Sequence, residues 1–511
     1  MYTHPLSLPE IVVVVGQFIS LWESEHISNE IVWQFTPKSL LAAISVNRLF
    51  YTTLTPFLWT VYAEPTIKSI GSSSFAHIYC DTALDIVERN SPHIRVLDFS
   101  CYTLPYGRNI EQLLKLNYSR LQELRVSASV NSTLVSRLIS ANPGLHLIEW
   151  RRTLKACTLQ ELDDFKSLLQ LQRLRYLSLE GWNPQTTYLY KVLHHNAKHL
   201  EELHVKNCNF VIPKPAVRDD KGKISITFAK SSEEAIEAFR AMRKSYGAVR
   251  LRKIKTLHVD VEQNRFWETL NWLFVEVPAL ETVVFGELTK DTAKALSEIL
   301  RKYCPHLRTI KHSGICKDFT RLPTQIGSAA YLVGACAPGS LVHASLDGWR
   351  ISSRLTQALL EHRHSLETLE LTIRDPAYQD SFRNLGIILK RLSRLKHLTV
   401  YFYVTQCDSR QPSLFLDKLA LCQGLVSLSF YGFVVVAEGD HSDGGDNNEI
   451  ISESVCAEPV WRELRSGSDN FQHRCCDIFR RLVFNAICPL PSLKSVVLGG
   501  EKFEKCPPSL T

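Results

Sequence analysis

Three histidines, fourteen cysteines and one Gly/Ser-rich turn are the residues of this 511-residue chain with the most obvious chemical potential. His194, His195 and His199 include an i, i+4 pair, a spacing that some zinc sites use on a helix. The Glu that H-E-x-x-H requires is missing and no third ligand is evident, so the cluster reads as a surface helix and no metal is expected. Gly71-Ser72-Ser73-Ser74 lacks both the G-x-S-x-G pattern and the Gly-Lys pair of a phosphate loop, and reads as a turn. The cysteines run singly from Cys80 to Cys506 apart from the adjacent Cys475 and Cys476, with no C-x-x-C. Isolated thiols at apolar positions behave as small buried hydrophobes. A reducing compartment, cytoplasm and/or nucleus, follows. No nucleophile, base and oxyanion donor converge in the sequence. The expectation is a protein that is not an enzyme and that takes no cofactor.

A hydrophobic phrase of the form L-x-x-L-x-L supplies the scaffold. It begins at Ile94, Leu121, Leu145, Leu174, Leu200, Ile254, Leu280, Leu307, Leu341, Leu366, Leu395, Leu425 and Leu493. Most steps are 24 to 34 residues, with longer ones after Leu200 and Leu425. A period of this length marks stacked supersecondary units that present a surface. Within Ser91-Pro92-His93-Ile94-Arg95-Val96-Leu97-Asp98-Phe99, Pro92 ends a preceding helix, and Leu97 and Phe99 keep the two-residue period of a half-buried strand. Pro143, Pro278, Pro305 and Pro491 introduce the same phrase elsewhere.

Helical segments are predicted between the strands, roughly at 109–117, 132–141, 264–275, 289–303, 354–363, 378–392 and 469–484. Thr158 to Glu161 and Ser231 to Glu234 have the form of capping boxes. The fold class is therefore α/β: a leucine-rich-repeat solenoid of about thirteen repeats over 66–511, a horseshoe with parallel concave strands and convex helices. An irregular insertion at 211–250 holds a possible extra strand at Ile224 to Phe228. The stretch 437–454 is acidic, Gly-rich and poor in bulky apolar groups, and is predicted to be a disordered loop.

Composition narrows the partners. The formal charge of +7 is spread thinly, with no run of five Lys/Arg, so nucleic acid is not expected. No stretch approaches the ~20 apolar residues of a membrane span. The apolar stretch Ile11 to Trp22 has no preceding Lys or Arg and carries Glu10, which argues against a signal peptide.

Residues 1–65 do not follow the repeat and read as three short helices, the first running from Pro9 to about Leu21. Leu8-Pro9-Glu10-Ile11, Leu40-Leu41, Val46-Asn47-Arg48-Leu49-Phe50 and Leu58-Trp59 resemble the F-box, with Asn47 in place of Cys, Phe50 in place of Trp, and an insertion near 22–36. The whole chain resembles a fungal-type F-box/leucine-rich-repeat protein. That resemblance implies a substrate-recognition subunit of an SCF-type (Skp-cullin-F-box) ubiquitin ligase. The helical module would dock on the Skp-type adaptor and cullin complex through Leu8, Pro9, Ile11, Leu40, Leu41, Val46 and Trp59, while the repeats hold an unknown protein substrate. The alternative is a leucine-rich-repeat scaffold or GTPase-regulator-like protein whose N-terminal helices only cap the array.

Offset 4 of each phrase points away from the buried leucines. It gives Asp98, Arg125, Glu149, Ser178, His204, His258, Val284, Lys311, Ser345, Glu370, Thr399, Ser429 and Val497, a polar row of mixed sign. Offset 6 ends in Tyr401 and Tyr431, with Tyr403 and Phe433 just beyond, and these four are the candidate substrate anchors.

Overall fold

The computed structural model describes residues 8–19, 22–27, 30–35, 38–63, 81–100, 108–128, 130–152, 159–182, 186–208, 217–218, 224–225, 237, 240–241, 243–245, 247, 250–260, 272–286, 288–312, 328–348, 351–373, 378–402, 407–408, 413–431, 435–436, 461–464, 477–499 and 501–505. The chain divides into two compact units, Met1–Ile254 and Lys255–Thr511.

Unit 1 opens with three helices, α1 (Pro9–Phe18), α2 (Lys38–Ile44) and α3 (Arg48–Leu58). Pro9 sits at the start of α1, where its missing N–H costs nothing. The helix ends at Phe18, earlier than the pattern suggests, because Ile19 takes extended backbone. Asn47 caps α3 by accepting the Phe50 N–H at 2.9 Å. Val12, Leu40, Ile44, Phe50 and Leu54 form the core of this module. Gly16 lets α1 approach α3 closely, since a Cβ there would meet Leu54 Cδ2 at 2.6 Å. The insertion between α1 and α2 folds as an antiparallel hairpin, Trp22–Ile27 against Glu30–Phe35.

The rest of unit 1 is a parallel sheet in sequence order: Val61–Ala63, Val96–Phe99, Glu123–Val126, Leu147–Arg151, Tyr176–Glu180 and Glu202–Lys206. Helices Asp81–Asn90, Arg108–Lys115, Ser132–Ala141, Leu159–Leu168 and Thr186–Asn196 lie between these strands in the chain. Unit 2 repeats the plan with eight parallel strands, from Thr256–Asp260 to Ser495–Leu498. Two antiparallel strands, Glu501–Lys505 and Trp461–Leu464, then cover its last edge. Closing the edge removes a row of unpaired backbone groups that would invite association. Every one of the thirteen phrases carries a strand, and leucines such as Leu97, Leu124, Leu177, Leu203, Leu369 and Leu398 are fully buried. The architecture of each unit is a leucine-rich-repeat solenoid.

Polar side chains stitch neighbouring repeats where the helices end. Asn142 donates to Leu138 O at 2.9 Å and accepts the Leu121 N–H at 3.3 Å. In unit 2 the buried His362 takes an equivalent place, accepting the Leu341 N–H at Nδ1 and donating from Nε2 to Val333 O. Cys304 and Cys422 occupy the same kind of position, donating their thiols to Phe274 O and Leu389 O. Burial pushes both thiols up to about 12, so they are inert at neutral pH.

In the irregular stretch 211–250, Val217–Arg218 pairs antiparallel with Ile224–Ser225, while Ile226 to Phe228 lie outside the described residues. The capping-box residues Thr158 and Ser231 to Glu234, and the acidic stretch 437–454, also lie outside them.

Candidate functional site

The helical module has a closed core, and several of its apolar side chains are exposed. Of the residues that the F-box resemblance selects, Leu8, Pro9, Leu41 and Val46 are exposed, Leu41 at 45% and Val46 at 64%. Ile11 and Trp59 are half-buried. Leu40 differs: it is fully buried among Val12, Ile44, Phe50 and Leu54, so it supports α2 instead of offering a surface. Adjacent residues on a helix point about 100° apart, so packing Leu40 inward turns Leu41 outward. Val14, Val15 and Tyr51 are exposed as well, and the motif does not select them. Their signal is the run Val12-Val13-Val14-Val15: a helix this short buries one stripe, and the remaining valines have no core to enter.

The sheet face opposite the leucines differs between the two units. In unit 1, register aligns Asp98, Arg125, Glu149, Ser178 and His204 on successive strands. Arg125 lies 2.9 Å from Glu123, 3.7 Å from Asp98 and 3.8 Å from Glu149. Arg151 pairs with Glu149 at 3.1 Å and Glu180 at 3.2 Å. This face neutralises its own charge.

In unit 2 the corresponding row is His258, Val284, Lys311, Ser345, Glu370, Thr399, Ser429 and Val497. Beside it runs a second row of hydroxyls and imidazoles: Thr282, Thr309, His343, Thr368, His397, Ser427 and Ser495. His397 Nδ1 lies 2.7 Å from Ser427 Oγ, and Ser345 donates to Glu370 at 2.8 Å. Burial lowers the pKa of both His343 and His397, with nearby Lys311 and Lys396 acting in the same direction, so this face carries neutral imidazoles at pH 7. Tyr401 and Tyr431 stack across adjacent strands, ring centroids 4.8 Å apart and planes 11° from parallel, both half-buried. Tyr403 and Phe433 lie outside the described residues.

The histidine cluster does not form a metal site. His194 and His195 are exposed on the helix Thr186–Asn196, but His199 lies in the turn beyond its end, so the i, i+4 pair does not share a helix. Among the described residues, no group of three or more His, Cys, Asp or Glu is placed to hold a metal ion. No helix among them is long and apolar enough to cross a membrane.

No family profile matches the chain, and no curated protein is similar to it in sequence. Among solved structures, the chain is similar to one from the crystal structure of the Rad7 and Elc1 complex in yeast, at 14% identity and a TM-score of 0.38, covering 78% of this chain and 94% of that one.

Proposed function

We propose that this protein is the substrate-recognition subunit of an SCF-type ubiquitin ligase, with the helical module docking on a Skp-type adaptor and the repeats holding a protein substrate. The observation that carries this reading is the module's surface. A core complete in itself leaves Leu8, Pro9, Val14, Val15, Leu41, Val46 and Tyr51 at the exterior, immediately before a repeat array. A helical cap would bury these groups against the first repeat. Ubiquitin transfer belongs to the partners, and the chain itself is not an enzyme.

Pro9→Ala combined with Leu41→Ala is expected to weaken co-precipitation of a Skp-type adaptor roughly thirtyfold, since two apolar contacts of about 1 kcal/mol each are lost. Circular dichroism should stay unchanged, because both residues are exposed. Equal recovery of adaptor with the double variant would defeat the docking reading and favour the capping one.

The substrate-holding part of the reading is supported by the stacked Tyr401 and Tyr431 on the sheet face of unit 2. Tyr401→Ala with Tyr431→Ala is expected to deplete the partners captured by the full chain, while the loss of stacking costs about 1 kcal/mol of stability. A large fall in thermal midpoint with unchanged capture would assign the pair to packing alone.

A further inference from the structure

The turns that lead into the strands of unit 1 line one edge of its sheet. Backbone hydrogen bonds put Arg95, Gln122, His146, Arg175 and Glu201 on consecutive rungs. Gln122 N donates to Arg95 O at 2.7 Å, His146 N to Gln122 O at 2.9 Å, Arg175 N to His146 O at 2.8 Å, and Glu201 N to Arg175 O at 2.8 Å. Neighbouring rungs lie ~4.8 Å apart. Two residues earlier, each turn adds a second position, occupied by His93, Arg120, Gly144, Arg173 and His199.

Arg95, Arg120, Arg173 and Arg175 are all exposed, and no ion pair among the described residues engages any of them. The face of the same sheet behaves in the opposite way, with Arg125 and Arg151 each held by at least two carboxylates. Helix dipoles account for cations in a last helical turn, such as Arg89 and Lys115. They do not account for these four guanidiniums, which lie beyond the helices that end at Asn90, Lys115 and Leu168. Glu201 is the one acid on the two rows. Arg95 and Arg175 stand on the first and fourth rungs of one row, Arg120 and Arg173 on the second and fourth of the other. Exposed guanidiniums clustered in this way make an anion-binding edge, and Arg suits carboxylates because its planar fork takes them two hydrogen bonds at a time.

The ligand class follows from what accompanies the charge. Proteins that track single-stranded nucleic acid place aromatic rings among their cations for the bases to stack on. Neither row carries Phe, Tyr or Trp, the large rings on which bases stack best, only Arg, Gln, Gly, Glu and His. Same-side residues of an extended peptide recur every ~6.6 Å, a step that flexible Arg side chains on the first, second and fourth rungs, ~4.8 Å per rung, can meet. We propose that the strand-entry edge of unit 1 docks an extended acidic segment of a protein partner, its Asp and Glu carboxylates held by Arg95, Arg120, Arg173 and Arg175. The proposal holds whether or not the helical module binds an adaptor.

Fluorescence anisotropy of the full chain with a labelled peptide of alternating Glu and Gly tests it. Arg120→Glu, Arg173→Glu and Arg175→Glu together are expected to weaken binding roughly tenfold or more. A control with the same charge change on helical positions, Arg137→Glu, Lys166→Glu and Lys191→Glu, should stay within about twofold. The milder Arg120→Gln, Arg173→Gln and Arg175→Gln set, melting as the wild type does, should lose affinity in the same direction. Equal weakening by the edge and control sets would overturn the proposal. Tighter binding of an oligothymidylate of matched charge than of the peptide would also overturn it, in favour of nucleic acid.

Discussion

Asp164→Ala should destabilise unit 1 by about 3 to 5 kcal/mol, the range seen when one partner of a buried ion pair is removed. Asp164 is fully buried on the helix Leu159–Leu168, and its Oδ2 lies 3.2 Å from Nη1 of Arg152, whose side chain is 17% exposed. Ser136, on the preceding helix, donates to the same carboxylate. The Arg152 guanidinium also sits 4.6 Å from the ring of Trp182, which is fully buried edge-on against Trp150 and Phe165. Truncating Asp164 therefore removes the buried counter-charge of a guanidinium packed against Trp182. Asp164→Asn keeps an acceptor for Ser136 and should fall between the two. Replacing both partners, Arg152→Met with Asp164→Leu, should be nearly neutral, because the cost lies in the unpaired charge and not in the absence of the pair. Urea unfolding followed by tryptophan fluorescence reads this directly, since Trp150 and Trp182 report on the site. A loss below about 1 kcal/mol for Asp164→Ala would show that water reaches Arg152 and that the pair behaves as a surface one.

The legible part of this fold is what the phrase repeats. Apolar residues at offsets 0, 3 and 5 are buried in nearly every repeat, and a constant phrase brings offset 4 into register from strand to strand, as Asp98, Arg125 and Glu149 show. What lacks the phrase was hidden. Val61–Ala63 adds a rung ahead of the first repeat with only three residues. Glu501–Lys505 is four-fifths charged and lacks the phrase, yet it closes the sheet because an edge strand needs backbone partners more than apolar side chains. The hairpin Trp22–Ile27 with Glu30–Phe35 registers in the sequence only as excess length between two helices. At the candidate site the limit was rotational. The sequence shows Leu40-Leu41 as a pair, but which of them enters the core depends on how α2 turns against α1 and α3. The charges were legible one repeat at a time. Their pairing on the face of unit 1, and its absence at the four edge arginines, depends on the register between repeats.

Stability should fall steeply as pH drops from about 6.5 to 4, through histidines that the fold holds neutral. Burial, reinforced by Lys206, pushes His204 down to about 4 from its ordinary value near 6.5. Burial also raises Tyr176, to about 12, so its hydroxyl stays protonated, 3.3 Å from Nδ1 of His204. The Nε2 of His204 lies 3.6 Å from Glu202, a contact that is no ion pair at neutral pH because the ring is uncharged. In unit 2, His362 is fully buried and also lowered, by burial above all. Protonating its Nδ1 would set an N–H against the Leu341 N–H that it now accepts. A folded-state pKa below the unfolded one means that the unfolded chain binds more protons, so stability is complete above about pH 6.5 and drains away as pH approaches the folded value. The shift of His204 corresponds to about 3 kcal/mol by pH 4. His204→Gln should flatten the acid limb of the unit 1 transition, and His362→Gln that of unit 2, each lowering stability at pH 7 while narrowing the difference between pH 7 and pH 4.5. Thermal midpoints across this range decide the matter. If the variants keep the wild-type slope, the histidines are bystanders to the acid sensitivity.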